Sequence, residues 1–322
     1  MGTKLFAFVE MLMVTTVFCA QQPVGPGPSG PDQETIIRLQ IFLDQRSFGP
    51  GKIDGHWSEF TTKALQRYQM SNGKQPTGQI TPEMQDQLKQ MSDIYTNYQL
   101  TDDDFKRLGK APQRPPQQAK MKQMPYRSIT DFVAERFHSG EEFIKKLNAG
   151  RKMSALKPGD NLRVPNVQPF RIEAFKRADD LPISQALTGR VIKVDTHDRV
   201  LDVIDGDKII GSYPITPGSK TLPAPLGTWK VVRITMLPWF RWDEAMLRHG
   251  RRSGDFFNIP PGPRNPVGIA WIGLNKKGVG IHGTDHPDMI GRSASHGCIR
   301  LANWDAARVA NQVTDGTTVE IF

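Results

Sequence analysis

From about residue 187 the spacing of apolar residues changes from a helical period of 3.6 to the strand period of 2. "RVIKVDTHDRVLDVIDGDKIIGSYPIT" alternates apolar with polar side chains, and Asp205-Gly206 supplies a hairpin turn. "GTWKVVRITML" reads as another strand, and "PVGIAWIGLN" and "KGVGIHG" as a further pair. "NWDAARVANQV" is a helix, with Asn303 as its cap and Trp304, Ala307, Ala310 and Val313 facing inward. "TTVEIF" returns to a strand. Residues 187–322 therefore form a mainly β domain with few helices.

The preceding chain is built differently. "QETIIRLQIFLDQRSF" places Ile36, Leu39, Ile41 or Phe42, and Leu43 at helical spacing. A loop with an Asp54-Gly55 turn follows. "TTKALQRYQMSNG" gives a second helix, capped by Thr61 and closed at Gly73. A third starts with Thr81 as N-cap and Pro82 at the first helical position, with Met84 and Leu88 inward. Residues 33–92 are thus a small all-α domain. In 128–168, Phe132, Val133 and Phe137 mark one short helix, and Phe143, Ile144 and Leu147 a second. "LKPGDNLRVPN" then turns into a strand, which makes a small α+β module. Residues 110–127 hold five Lys or Arg and no acid among Pro and Gln, so 93–127 reads as a basic, solvated linker. "QQPVGPGPSGP" makes 21–32 a flexible linker.

The 322 residues suffice for two or three domains. A formal charge of +9 favours anionic partners. No basic helix is interleaved with aromatics and no zinc-finger spacing occurs, so nucleic acid is not an expected partner. "MGTKLFAFVEMLMVTTVFCAQQP" has the layout of a secretory signal peptide over 1–20: Lys4, an apolar run interrupted by Glu10, then Cys19-Ala20. Export followed by cleavage would leave no stable membrane span, and Cys298 as the only thiol.

Three of the seven histidines, His282, His286 and His296, gather around Cys298. A nucleophile with its base, a metal site and a buried small hydrophobe are the competing readings. Gly283 and Pro287 break any helix that could present two histidines to a metal, and no CxxC pair exists; no metal and no cofactor is expected. His282 ends one strand and Cys298, sixteen residues later, begins the next, so the two can meet across neighbouring strands about 5 Å apart. An adjacent imidazole is what a thiol needs to become a nucleophile.

"HGT" followed by "SHGCIRL" resembles the signature of L,D-transpeptidases of the YkuD type. "SYPITPGSKTLPAPLGTWKV" and "IPPGPRNPVGIAWIGL" extend the resemblance over 187–322. It implies a YkuD-like β-sandwich with Cys298 as acylated nucleophile and His282 as base, oriented by a backbone carbonyl near Gly283. His296 and the amides of Gly297 and Cys298 would line the oxyanion region. Ser295 and Arg300 would shape the site, and Arg300 would favour the thiolate or hold a substrate carboxylate. His286 falls outside the family's fixed positions and is expected to be loop-exposed, with Asp285 and Asp288 as turn formers. Trp239, Phe240 and Trp242 would line a groove, form a lid or pack in the core.

Residues 33–92 resemble the peptidoglycan-binding domain through Leu39-Gln40, Ile53-Asp54-Gly55, Thr62, Ala64, Tyr68-Gln69 and Gly78…Thr81, with Glu59-Phe60 where that family often has Gly. Asp54, Gly55 and Gln69 would be its wall contacts. Residues 128–168 resemble the LysM glycan-binding module through Leu147-Asn148, Pro158-Gly159-Asp160, Leu162 and Val164-Pro165, without its first-strand Gly-Asp-Thr. Together these resemblances imply an exported enzyme of the periplasm or cell envelope, with peptidoglycan stem peptides and glycan strands as partners. Its reaction would be cross-linking through a cysteine acyl-enzyme on stem tetrapeptides. The same chemistry would serve an L,D-carboxypeptidase or attachment of proteins to the wall; a non-catalytic wall-binding protein is the alternative of another class.

Overall fold

The computed structural model describes residues 30–219, 221–292 and 297–322. Three helices come first: α1 (Gln33–Asp44), α2 (Glu59–Ser71) and α3 (Pro82–Gln90). α1 is apolar on two sides. Leu39, Phe42 and Leu43 pack with Ala64, Leu65, Met84 and Leu88, while Ile37 and Ile41 join a larger core that continues into the β domain. Thr81 caps α3 as its sequence suggests, accepting from the Met84 amide at 3.2 Å. The start of α2 differs from expectation. Ser58, not Thr61, is the N-cap, and Thr61 is the third residue of a reciprocal capping box.

The stretch 93–127 is not a solvated spacer. It carries β1 (Tyr95–Gln99), α4 (Asp102–Lys106) and α5 (Pro115–Gln118). After it come α6 (Ile129–Arg136), α7 (Glu141–Leu147) and β2 (Asn161–Pro165). β1 pairs antiparallel with β2, from Tyr95 opposite Pro165 to Gln99 opposite Asn161. The α+β module therefore draws its first strand from outside 128–168. β1 has no apolar alternation to betray it; Tyr98 stands in, donating its hydroxyl to Asp104 at 2.8 Å. The basic run ends buried, with Met124 and Tyr126 in the interior. Met124 exchanges backbone hydrogen bonds with Pro261 and Arg264, and a side chain on Gly262 would collide with the Met124 backbone at 2.2 Å.

The remainder holds β3 (Val191–Asp195), β4 (Val200–Asp205), β5 (Lys208–Pro214), β6 (Thr216–Pro217), β7 (Gly227–Met236) and β8 (Phe240–Trp242). α8 (Glu244–His249), β9 (Phe257–Ile259), β10 (Ala270–Leu274), β11 (Gly280–His282), β12 (Ile299–Arg300), α9 (Asn303–Gln312) and β13 (Thr318–Ile321) complete it. Nine strands form one sheet in the order β5-β4-β3-β13-β7-β10-β11-β12-β6. The long β7 serves both halves, pairing with β13 over Gly227–Lys230 and with β10 over Val231–Met236. Its register against β10 breaks where Val231 faces Leu274 and Arg233 faces Gly273, so Val232 is an extra residue and re-aims the strand beyond it. β8 and β9 pair separately as a flap with α8 between them, a helix absent from the sequence reading.

Asn303 is not the cap of α9. The cap position is Ala302, and Asn303 is the first helical residue, with its side chain turned inward. Buried charge joins the segments. Both Arg308 terminal nitrogens lie 2.9 Å from Asp44 of α1, and His138 Nδ1 approaches the same carboxylate at 3.0 Å. The His138 ring also stacks on Trp304 at 5.3 Å. Residues Gln33–Phe322 thereby form one compact unit. Among the described residues no helix is long and apolar enough to cross a membrane.

Candidate active site

β11 and β12 run parallel, with Ile281 opposite Ile299 and His282 opposite Arg300. Alternation sends Ile281 and Ile299 to the core face, where both are fully buried, and His282 and Arg300 to the other. Cys298, two residues before Arg300, falls on the His282 side. The same row crosses the sheet through Trp271 of β10, opposite His282, to Thr235 of β7. Arg233, Thr235, Trp271, His282, Cys298 and Arg300 all line one cavity of about 700 Å³. The flap closes its other side with Trp239, Phe240, Trp242, Met246 and Leu247. Of the roles open to the three aromatics, lining the groove is the one the structure gives them.

His282 Nδ1 lies 2.7 Å from Gly283 O and donates to it, which leaves Nε2 as the acceptor nitrogen. Burial, reinforced by the Arg300 charge, holds the imidazole pKa down at about 3, so it is neutral through the physiological range. Trp271 stacks on the ring at 5.4 Å and 18°. The indole lies over a floor that only glycine permits: a Cβ on Gly280 would come 2.7 Å from the indole, and one on Gly273 3.1 Å. Cys298 is half-buried, with Sγ 3.6 Å from Gly278 O. Burial pushes its pKa up, and Arg300 only partly offsets this. Both shifts favour the uncharged forms, thiol and imidazole.

The loop after His282 is held from inside. Asn303 Oδ1 accepts from the amides of Thr284 at 3.1 Å and Ile269 at 3.3 Å. Its Nδ2 donates to Glu135 Oε1 at 2.9 Å and Pro263 O at 3.2 Å. Gly283 has to be glycine here, because a Cβ would sit 2.2 Å from Asn303 Oδ1. Gly297 adopts φ +91°, in the left-handed region that glycine tolerates, directly before Cys298. Ser295 and His296 lie outside the described residues, as do the expected signal peptide at 1–20 and residues 21–29 of the linker.

His286 is 56% exposed and pairs with Asp285 at 2.9 Å, and Asp288 reaches Lys52 at 2.8 Å. The expected wall contacts sit elsewhere, and two of them are structural. Gln69 is buried, its amide donating to Gln79 O at 3.0 Å and accepting from Gly78 N at 2.9 Å, so no polar atom remains for a polymer. The Gly55 amide donates to Gln40 Oε1 at 2.9 Å, and its φ of +74° is backed against Gln33 and Ile37. Asp54 alone lines an open cleft, shared with Lys52, His56 and Lys145.

Asn303, Trp271 and the cavity arginines other than Arg300 escaped the sequence reading. Arg177, Arg241 and Arg248 pair with Asp179, Asp243 and Glu244 at 2.6, 3.2 and 2.7 Å. The cavity lining holds six arginines against these three acidic residues, an excess of positive charge.

Comparison with known proteins finds similarity in two segments of the chain. A family profile described as "L,D-transpeptidase catalytic domain" matches residues 189–321, and one described as "Putative peptidoglycan binding domain" matches 32–88. The "Putative L,D-transpeptidase YkuD" of Bacillus licheniformis is 26% identical over 189 residues, covering 59% of this chain and 90% of that protein. The "Putative L,D-transpeptidase in ATP synthase subunits region ORF 5" of Fuscovulum blasticum is 30% identical over 161 residues, covering 49% and 79%. A crystal structure of a mutant Enterococcus faecium L,D-transpeptidase aligns with a TM-score of 0.33 and 22% identity, over 41% of this chain and 49% of that one. The chain thus spans about half the length of that solved protein. With its catalytic-domain match and a relative of which it covers more than two thirds, the chain belongs to the L,D-transpeptidase family.

Proposed function

We propose that this protein cross-links peptidoglycan in the cell envelope, using Cys298 as nucleophile and His282 as general base. The observation that carries this reading is the β11–β12 pairing. It brings a lone thiol and a buried imidazole with a committed Nδ1–H to one face of one cavity. Nε2 takes the thiol proton as Sγ attacks the carbonyl that precedes the terminal D-residue of a stem tetrapeptide. The C–N bond breaks, and the proton passes to the departing amine. An amine on a neighbouring stem then attacks the thioester, gives its proton to His282 and restores the thiol. The amides of Gly297, which has a left-handed φ of +91°, and of Cys298 would serve the developing oxyanion.

The excess of arginine suits a peptide that carries several carboxylates. The match over 32–88 supports wall attachment beside the catalytic unit, with domain bounds near 33–92, 93–168 and 187–322. Export follows from such a substrate, since wall polymer lies outside the cell. Mass spectrometry of products from tetrapeptide-containing wall fragments tests the reaction. Dimers linked between third-position residues are expected. Trimmed tripeptides alone would make the protein a carboxypeptidase, and unchanged fragments would contradict any peptidase chemistry.

A further inference from the structure

The catalytic histidine's loop is anchored on a helix outside the catalytic sheet. Glu135 lies on α6, in the α+β module, and is 1% exposed. Its Oε1 accepts from Asn303 Nδ2 and from Arg264 NH1, each at 2.9 Å. Asn303 is fully buried, and its amide can be read in one orientation only. Two backbone N–H groups, of Thr284 and Ile269, demand the oxygen; Glu135 and Pro263 O demand the NH2. Without Glu135 the Asn303 amide loses its charged acceptor and can turn, and the turned amide would set its NH2 against two N–H donors. Thr284 follows Gly283, whose carbonyl fixes the tautomer of His282. Buried hydrogen bonds, joined by the Gly283–Thr284 peptide, therefore connect α6 to the imidazole.

Asp131, one helical turn before Glu135, separates two effects. It grips Arg264 in a bidentate pair at 2.6 and 3.0 Å. It makes no hydrogen bond to Asn303. The module is thus fixed to the sheet by Asp131 and Glu135 through Arg264, and of the two only Glu135 also connects to the catalytic loop, through Asn303.

We propose that Glu135 and Asn303 are positioning residues for His282, and that the α+β module is a component of the active site, whatever it does with glycan. The inference rests on the proposed reaction only for its second readout. The first is hydrogen exchange of the His282 Nδ1–H, followed by NMR in the full-length, 15N-histidine-labelled protein, at a temperature where every variant is folded. Glu135→Ala is expected to speed that exchange at least tenfold. Glu135→Gln, which keeps an acceptor oxygen toward Asn303, should stay near the parent. Asp131→Asn should lower thermal stability without moving the exchange. Should Glu135→Ala not fold, Glu135→Met fills the same buried site without an acceptor and should behave as Ala does.

The second readout is acylation by a stem tetrapeptide. Displacement of a catalytic group by about 1 Å can cost about a hundredfold in rate. Glu135→Ala should therefore lose ten- to a hundredfold in acylation rate with KM within about twofold, and Glu135→Gln should recover most of it. Parental exchange in Glu135→Ala, or an equal change in Asp131→Asn, overturns the proposal. Faster exchange in a protein whose parent acylates nothing supports the positioning and contradicts the transpeptidase reading.

Discussion

For Cys298, burial outweighs the lowering influence of the nearby backbone and of Arg300. Burial raises its pKa, and burial with the Arg300 charge keeps His282 near 3. A preformed thiolate–imidazolium pair would need both shifts reversed. Alkylation of Cys298 by iodoacetamide should therefore rise through and above the ordinary thiol range of about 8.5, with no plateau at pH 5–7. A flat, fast reaction across pH 5–7 would show an ion pair instead. The thiol and imidazole were legible in the sequence because His and Cys are scarce in the chain and closely spaced there. Asn303 was not. An Asn at the head of a helix reads as a cap, and its partners Thr284, Pro263 and Glu135 lie 19, 40 and 168 residues away. Gly280 and Gly273 look like ordinary strand glycines until Trp271 is seen lying over them.

Among the elements, the helical unit engages the side chain of Gln69 within its own fold. Gln69 closes the loop before α3 from inside α2. Replacing it with Ala leaves Gly78 N and Gln79 O without their partner, at a cost of about 1–3 kcal/mol. A fall in the urea midpoint is expected, with wall pull-down unchanged wherever the unit stays folded. Pull-down lost at full stability would return Gln69 to a binding role. Local signals served well where one residue decides the geometry, as at Thr81 and Pro82. They failed where two residues share a task. Ser58 and Thr61 form one capping box, and the sequence does not say which of them leads. β1 was missed because Tyr-Thr-Asn-Tyr-Gln is short and has no apolar face; only its ladder to β2 makes it a strand.

At the scale of the whole molecule, the periodicity change near residue 187 separated helical from β segments correctly, yet it carried no trace of how they are joined. Beside the shared apolar core, the joint holds a buried ionic cluster around Arg308 and Asp44. Burial is the largest influence on Asp305 and lifts its carboxyl to about 7 despite Arg308. For Asp44 burial also pushes upward, but Arg308 and His138 outweigh it and hold the carboxyl well below its ordinary range. A raised acid stabilises the fold fully below its unfolded value of 3.8 and loses that contribution as pH climbs through about 7. A depressed acid does the reverse, losing its contribution as pH falls below the ordinary carboxylate range. Stability should thus decline between about pH 4 and pH 7 and level off above it, by at most about 1.4 kcal/mol per pH unit for one proton. Asp305→Asn should remove that decline, as urea unfolding at several pH values would show; an identical decline in the variant would contradict the assignment. The central claim, that Cys298 carries the acyl group, is tested most directly by intact-protein mass spectrometry of the full chain mixed with a stem tetrapeptide. The account predicts a gain equal to the tripeptide acyl group, on the peptide containing Cys298, and none in Cys298→Ala. An equal adduct in Cys298→Ala, or cross-linking by that variant at the parental rate, would contradict it.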